Sequence, residues 1–331
     1  MSAVPVIDIA PFLSGSSGKL SVAEAVDAAC REVGFLVIEG HGVRQDLLSR
    51  MTQSMLGFFQ QSPVSKGRCG VTPDNFHGYR GPNATALAKS KGVDTPPDLM
   101  ERFTVGRVDV PDDEYHRSLR ERIFRDNQWP EQLPGFREAA EGYYREMERL
   151  ASDLMRIFAV ALKLPENYFA GFFDKHISQQ VTNYYPAVET PPQPGQLRAG
   201  AHTDYGSLTI LYPAVSPGGL QVMSSSGAWK DVPVVPGSFI INIGDLLAQW
   251  TNDRWVSTLH RVVNPEGVQS KDARMSIVFF QQPNDDAIIR CIETCTGADN
   301  PPKYEAVGAG EHVAAKLNKA WVGKRALEGA S

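Results

Sequence analysis

The sequence predicts an α+β chain, with helices gathered in the N-terminal half and flanking a β core of jelly-roll type in the C-terminal half. Three observations carry this expectation. Apolar residues recur at helical spacing in long stretches before residue 165. After about residue 178 the texture changes to short β-rich runs broken by Gly, Pro and Asn: QQVTNYYP, GSLTILYPAV, GLQVMS, WKDVPVV, SFIINIG, STLHRVVNP and ARMSIVFFQQP. That many short strands at near-regular spacing is the pattern of a sandwich or barrel. Finally, 331 residues with 42% apolar content can bury a large core, and no internal repeat or low-complexity tract divides it. The expected layout is a helical region with opening strands over 1–175, the jelly-roll core over 176–300, and a C-terminal helix or tail over 301–331 packing on the core. These form one unit rather than independent domains.

Taken in order, VPVIDI (4–9) is an opening strand broken by Pro11. Val22, Ala25, Val26, Ala29 and Val33 mark a helix over 21–33. Ser21 is its expected N-cap, Glu24 completes a capping box, and Gly34 is the stop. GFLVIEGHGV is a strand that ends in a turn at Gly40–Gly42. A second helix covers 44–61, and residues 62–98, rich in Gly, Pro, Asn, Ser and Thr, form a long loop around Phe76 and Tyr79. The longest helical pattern runs over 135–163, until Leu164-Pro165 ends it. A weaker one returns over 303–327.

Composition narrows the function. Lys+Arg 33 against Asp+Glu 38 gives a net charge of −5 with no basic stripe, unlike a nucleic-acid binder. No stretch reaches the roughly 18 apolar residues of a membrane span, and Met1-Ser2-Ala3-Val4-Pro5 lacks the charged-then-apolar pattern of a signal peptide. Cys30, Cys69, Cys291 and Cys295 fit neither a CxxC pair nor a zinc ribbon, and no disulfide is required between Cys291 and Cys295. They read as reduced thiols of a cytoplasmic protein, monomeric or weakly dimeric, with a small-molecule partner and neither nucleic acid nor membrane.

The chemistry concentrates in His202-Thr203-Asp204 and the distant His260. In a strand, residues i and i+2 share a face, so His202 and Asp204 offer an imidazole and a carboxylate to one point. His260 lies in a β-type run, STLHRVV. Two His and one carboxylate with open positions opposite them are the ligand set of non-haem Fe(II) oxygen chemistry. An HxD alone is common by chance. It gains weight from Arg274-Met275-Ser276, another i, i+2 pair, entering a buried-looking strand 14 residues after His260. A guanidinium fork with a hydroxyl beside it suits a carboxylate. Asn183 and Tyr185 also share a strand face and can hydrogen-bond an oxo acid, whereas Tyr184 reads as core packing.

In this order the chain carries VPVIDIAPF, GFLVIEGHGV, FFQQSPVSKGR, DLMERF, NYYP, GAHTDYGSLTIL, GGLQV, FIINIGD, LHRV and ARMSIVFF. The ordered set resembles the isopenicillin N synthase-like branch of the Fe(II)/2-oxoglutarate-dependent oxygenases, over nearly the whole chain. The resemblance implies a double-stranded β-helix core flanked by helices, preceded by a non-haem dioxygenase N-terminal region. It implies His202, Asp204 and His260 as iron ligands, Arg274 and Ser276 on the distal carboxylate of 2-oxoglutarate, and Asn183 and Tyr185 near its chelating end. Fe(II), 2-oxoglutarate and O2 are the implied cofactor and cosubstrates, with ascorbate assisting. The implied reaction releases succinate and CO2 while a small organic metabolite is hydroxylated, desaturated or cyclised.

Strand alternation extends these faces to Val181, Val278, Phe280 and Gln282, so Val181, Phe280 and Gln282 are expected on the substrate side. Tyr79, Phe76 and Phe103 are candidates to close over it. His41, in a Gly-His-Gly turn, reads as structural, and His77, His116, His176 and His312 as surface or loop residues. Three other functions compete. An iron oxidase of the isopenicillin N synthase type would not use 2-oxoglutarate, although the Asn183-x-Tyr185 pattern favours a 2-oxoglutarate user. A non-catalytic jelly-roll binding protein would have no need of the triad. A zinc hydrolase leaves Arg274 and Ser276 unexplained and would show an HExxH helix, which is missing.

Overall fold

The computed structural model describes residues 4–187, 191–265 and 272–320. Two sheets face each other. The larger has eight strands in the order β1-β2-β10-β7-β12-β5-β4-β3, and the smaller has four, β6-β11-β8-β9. Their ranges are β1 Val6–Asp8, β2 Phe35–Glu39, β3 Gly78–Arg80, β4 Glu101–Val105, β5 Gln179–Tyr185, β6 Ala199–His202, β7 Leu208–Val215, β8 Leu220–Met223, β9 Trp229–Asp231, β10 Phe239–Ile243, β11 His260–Val262 and β12 Arg274–Gln281. Each of the seven β-rich runs after residue 178 holds a strand. Together they build a double-stranded β-helix, the core that the resemblance implies.

Strand alternation gives the larger sheet two buried faces. Phe35, Val37, Ile240 and Tyr185 point inward and meet Ala199, Leu220, Val222 and Val262 of the smaller sheet. Leu36, Ile38, Ile241, Ile277 and Phe279 point outward and are covered by helices α2 (Lys19–Glu32), α3 (Gln45–Phe59) and α6 (Phe136–Ala161). A strand buried on both faces reads as a continuous apolar run, which is why β2, β10 and β12 show almost no polar alternation. Helix α6 presents the opposite pattern. Tyr143, Met147, Leu150, Leu154 and Phe158 form its buried stripe, while its exposed face carries pairs such as Arg137–Glu141 and Arg149–Asp153 at i, i+4.

The structure corrects several expectations. Helix α2 starts at Lys19 with Gly18 at its N-cap. The turn that bonds the Lys19 amide to the Ser16 carbonyl delivers the chain into the helix early, so Ser21 lies inside its first turn. Gly34 does end it, at φ 69°. The long loop of 62–98 contains helix α4 (Pro63–Gly67), capped by the Ser62 hydroxyl, the strand β3, and a 3-10 turn at Leu87–Lys91. All are too short for periodicity to reveal. His77, His116 and His176 are buried, each with a ring nitrogen satisfied: by the Arg125 carbonyl, by Asp113 and by Glu148, respectively. His41 is structural as expected, bonded to the Gly237 carbonyl. All four cysteines are free thiols. Helix α9 (Ala309–Ala320) occupies the C-terminal helical pattern, of which residues 321–331 lie outside the described part. Among the described residues no helix is long and apolar enough to cross a membrane.

Candidate metal centre

β6 and β11 are antiparallel neighbours with His202 directly opposite His260. Paired residues project to one face, and the two imidazole rings lie 4.3 Å apart, centroid to centroid. β6 ends at His202, so Asp204 is not a strand residue. The loop that follows still returns its carboxylate, with Oδ1 3.8 Å from His202 Nε2 and 3.7 Å from His260 Nε2. The three ligand atoms lie within 4.8 Å of one another, which suits one ion.

The surroundings fix which atoms face that point. His202 Nδ1 lies 2.7 Å from the Gly200 carbonyl and His260 Nδ1 3.1 Å from that of Thr258. A carbonyl only accepts, so both Nδ1 atoms carry the proton and both Nε2 lone pairs are free for a metal. Asp204 Oδ2 accepts from Thr209 Oγ1 at 2.6 Å and Asn242 Nδ2 at 2.7 Å, leaving Oδ1 as the ligand atom. Burial, then the neighbouring His260, pushes His202 well below the usual histidine range, so it is neutral at pH 7. Burial raises Asp204, but His260, His202 and its two hydrogen bonds outweigh that and hold it ionised.

The loop itself is clamped from behind. The Asp245 amide bonds the Asp204 carbonyl and the Gly244 amide bonds that of Ser207. A Cβ on Gly244 would collide with the Gly206 carbonyl, and one on Gly206 with the Gln282 amide. The first position therefore requires glycine, whereas at the second the Gln282 side chain would have to move aside.

A second cluster lies on the inner face of the larger sheet. Ser276 is opposite Asn183 and Arg274 opposite Tyr185, which brings all four predicted residues together. Arg274 is 1% exposed. Its Nε donates to the Gly218 carbonyl and its Nη1 to the Ser276 hydroxyl, both at 3.3 Å. Its guanidinium lies 5.0 Å from the Tyr185 ring centre. No carboxylate among the described residues pairs with it. A buried guanidinium without a carboxylate partner is costly.

The predicted substrate residues divide. Val181 and Phe280 are on the inner face, Val181 opposite Val278, and Phe280 opposite Thr209, which holds Asp204. The Gln282 side chain lies against Gly206. Tyr79 and Phe103 are instead opposite each other on the outer face, packed edge-on against Phe58 of α3. Alternation along β4 turns them to the helices, so they cannot close over the centre. Phe76 packs edge-on against buried His77, next to β3.

Sequence reasoning missed Thr209 and Asn242, and also Asp98, whose carboxylate accepts from the Gly200 and Leu87 amides and pins β6 to the 3-10 turn. It missed inward-facing Arg102 and Arg80 as well. The available signal was polarity: a lone Asn inside FIINI marks a buried group that needs a partner, and the half-buried Arg of ERFTV carries a buried Nε.

Comparison with known proteins agrees with this geometry. Residues 176–283 match the model of the 2OG-Fe(II) oxygenase superfamily, and residues 4–132 match that of the non-haem dioxygenase in morphine synthesis N-terminal region. The chain is 34% identical to homoarginine-6-hydroxylase of Glycine max over 96% of each chain. It is 32% identical to validamycin A dioxygenase of Streptomyces hygroscopicus subsp. limoneus, over 84% of this chain and 76% of that one. Among solved structures it resembles a full-length Neurospora crassa protein in complex with alpha-KG (2-oxoglutarate). The TM-score is 0.83 with 32% identity, over 95% of this chain and 96% of that one.

Proposed function

This chain belongs to the 2OG-Fe(II) oxygenase superfamily, and on that premise we propose that His202, Asp204 and His260 hold its Fe(II), and Arg274 and Ser276 the distal carboxylate of 2-oxoglutarate. It is a 2-oxoglutarate-dependent non-haem iron dioxygenase that acts on a small organic molecule. When bound, iron with 2-oxoglutarate supplies the oxidising chemistry: O2 is consumed, 2-oxoglutarate becomes succinate and CO2, and a substrate C–H bond becomes C–OH.

The chain's own part is positioning. The donor set fits the metal: two imidazole Nε2 atoms and one carboxylate oxygen converge, each side chain fixed by a hydrogen bond on its far side. Asn183 and Tyr185 flank the chelating end of the cosubstrate, and Val181, Phe280 and Gln282 line the substrate side. The observation that carries the cosubstrate assignment is Arg274, a fully buried cation whose protein partners are a carbonyl, a hydroxyl and a ring. An iron oxidase that takes every electron from its substrate is the weaker reading, since the relatives named above include one in complex with the cosubstrate. The mild negative charge supports a protein without nucleic-acid partners, monomeric or weakly dimeric, and four free thiols support a cytoplasmic location.

Anaerobic titration tests the assignment. Apo-protein given Fe(II) and then 2-oxoglutarate should develop the weak visible charge-transfer band of an iron–oxo-acid chelate. The band should be lost in His202→Ala. In Arg274→Met it should require about ten- to a hundredfold more 2-oxoglutarate, the worth of a charged hydrogen-bond pair. Iron binding without a band would favour the oxidase, and no iron binding would reject the triad as the metal site.

A further inference from the structure

Two arginines share the inner face of the larger sheet near its free edge. Arg102 is directly opposite Asn183, and Arg80 directly opposite Arg102. With Ser276 opposite Asn183, the four make one row that runs from the edge strand to the cosubstrate residues. Like charges directly opposite one another destabilise a sheet. The effect is visible at Arg80, where burial and then the Arg102 charge lower the guanidinium to about 10. Pairing with Asn183 places Arg102 on the face that carries Ser276 and the other cosubstrate residues.

The carboxylates close to Arg102 are committed elsewhere. Asp98 accepts two backbone amides. Glu101, its neighbour in sequence, points to the opposite face, where Lys66 and Tyr79 hold it. Asp204 serves Thr209, Asn242 and the triad. Arg102 Nε is buried with no hydrogen-bond partner among the described residues, and so is Asn183 Oδ1. A buried guanidinium nitrogen left without an acceptor, on the face that carries the cosubstrate residues, fits a ligand that supplies an anionic one.

We infer that the primary substrate is a small carboxylic acid, its carboxylate received by Arg102 and its apolar body lying along Val181 and Phe280. This rests on the reading of the triad and Arg274 as the iron and cosubstrate site. The planar guanidinium fork matches a carboxylate, and Val181 and Phe280 give the remainder of the molecule an apolar wall between Arg102 and the triad. Arg102 is then a specificity-determining residue, distinct from Arg274, which serves the cosubstrate.

The test uses the anaerobic Fe(II)–2-oxoglutarate complex and matched probes: phenylacetate with phenylacetamide, cyclohexanecarboxylate with its amide, and N-acetylleucine with its amide. Binding is read as a perturbation of the visible band. Acids should bind in preference to amides. That preference should fall about ten- to a hundredfold in Arg102→Met and return in part in Arg102→Lys, with the 2-oxoglutarate requirement unchanged in both. Four results would overturn the inference: acids and amides that bind alike, no acid that binds, acids that bind Arg102→Met as tightly as the wild type, or an Arg102→Met variant that needs more 2-oxoglutarate. The last would assign Arg102 to the cosubstrate. A wild-type protein that forms no band fails at the earlier step, which marks the failure of the iron and cosubstrate reading itself and takes this inference with it.

Discussion

Asn242 shows what one side chain contributes. It interrupts the apolar run of β10, is 3% exposed, and spends its amide on the Asp204 oxygen that faces away from the two histidines. Asn242→Leu should keep the fold and weaken Fe(II) binding about ten- to a hundredfold, the usual cost of losing such a supporting hydrogen bond. An unchanged iron titration would show that Thr209 alone orients the carboxylate. His77 makes a separate prediction. Burial lowers it from the ordinary 6.5 to about 4, so between those values the unfolded chain takes up a proton that the native chain refuses. Its contribution to stability is complete above pH 6.5 and is lost as the pH falls toward 4, by an amount on the order of 3 kcal/mol. Urea midpoints across that window should fall less steeply in His77→Gln, and equal slopes would remove His77 from the account. At this scale the convergence of His202 and Asp204 was legible from their i, i+2 spacing, whereas His260, far along the chain, offered only its place in a β-type run and the ordered motifs around it. Asn242 was visible as an odd residue, but its partner lies 38 positions away, beyond the reach of any local pattern.

Strand parity governs the next scale. Once β5 and β12 are recognised, alternation places Val181, Asn183, Tyr185, Arg274, Ser276 and Phe280 on one face. The same reasoning fails for Tyr79 and Phe103 because β3 and β4 were not recognised as strands. Three- and five-residue segments beside a long loop carry too little periodicity, and it is pairing, β4 with β5 and β3 with β4, that defines them. α4 is tied to β4 by the Lys66–Glu101 pair, 2.5 Å apart, with both side chains mostly buried. Removing Lys66 leaves the Glu101 carboxylate buried without a counter-charge, held only by the Tyr79 hydroxyl. Lys66→Met should therefore cost about 3–5 kcal/mol in urea unfolding, and the double variant with Glu101→Gln should recover most of it. A double variant no better than the single would mean that Lys66 acts through packing.

For the whole molecule, the division at residue 175 is a division of the sequence. β1 to β4 all lie before it, yet they complete the same sheet as β5, β7, β10 and β12. We propose that the chain unfolds as one cooperative unit. Calorimetry of the apo-protein should give a single transition, and a fragment starting at residue 176 should not fold. Two resolved transitions would restore independent domains. The jelly roll was legible from the rhythm of its strands, whereas the way the N-terminal strands enter that sheet is a matter of long-range pairing. One feature of the centre reaches beyond catalysis. Both histidines belong to the smaller sheet, while Asp204 is tied to β7 and β10 of the larger. An ion held by all three would act as a rivet between the halves of the barrel, and at a hundred times its Kd it would add about 2.7 kcal/mol to stability. Proteases in a cell remove the loosened form of a protein first, so the abundance of this one should follow the iron supply, falling under starvation even where its synthesis is constant.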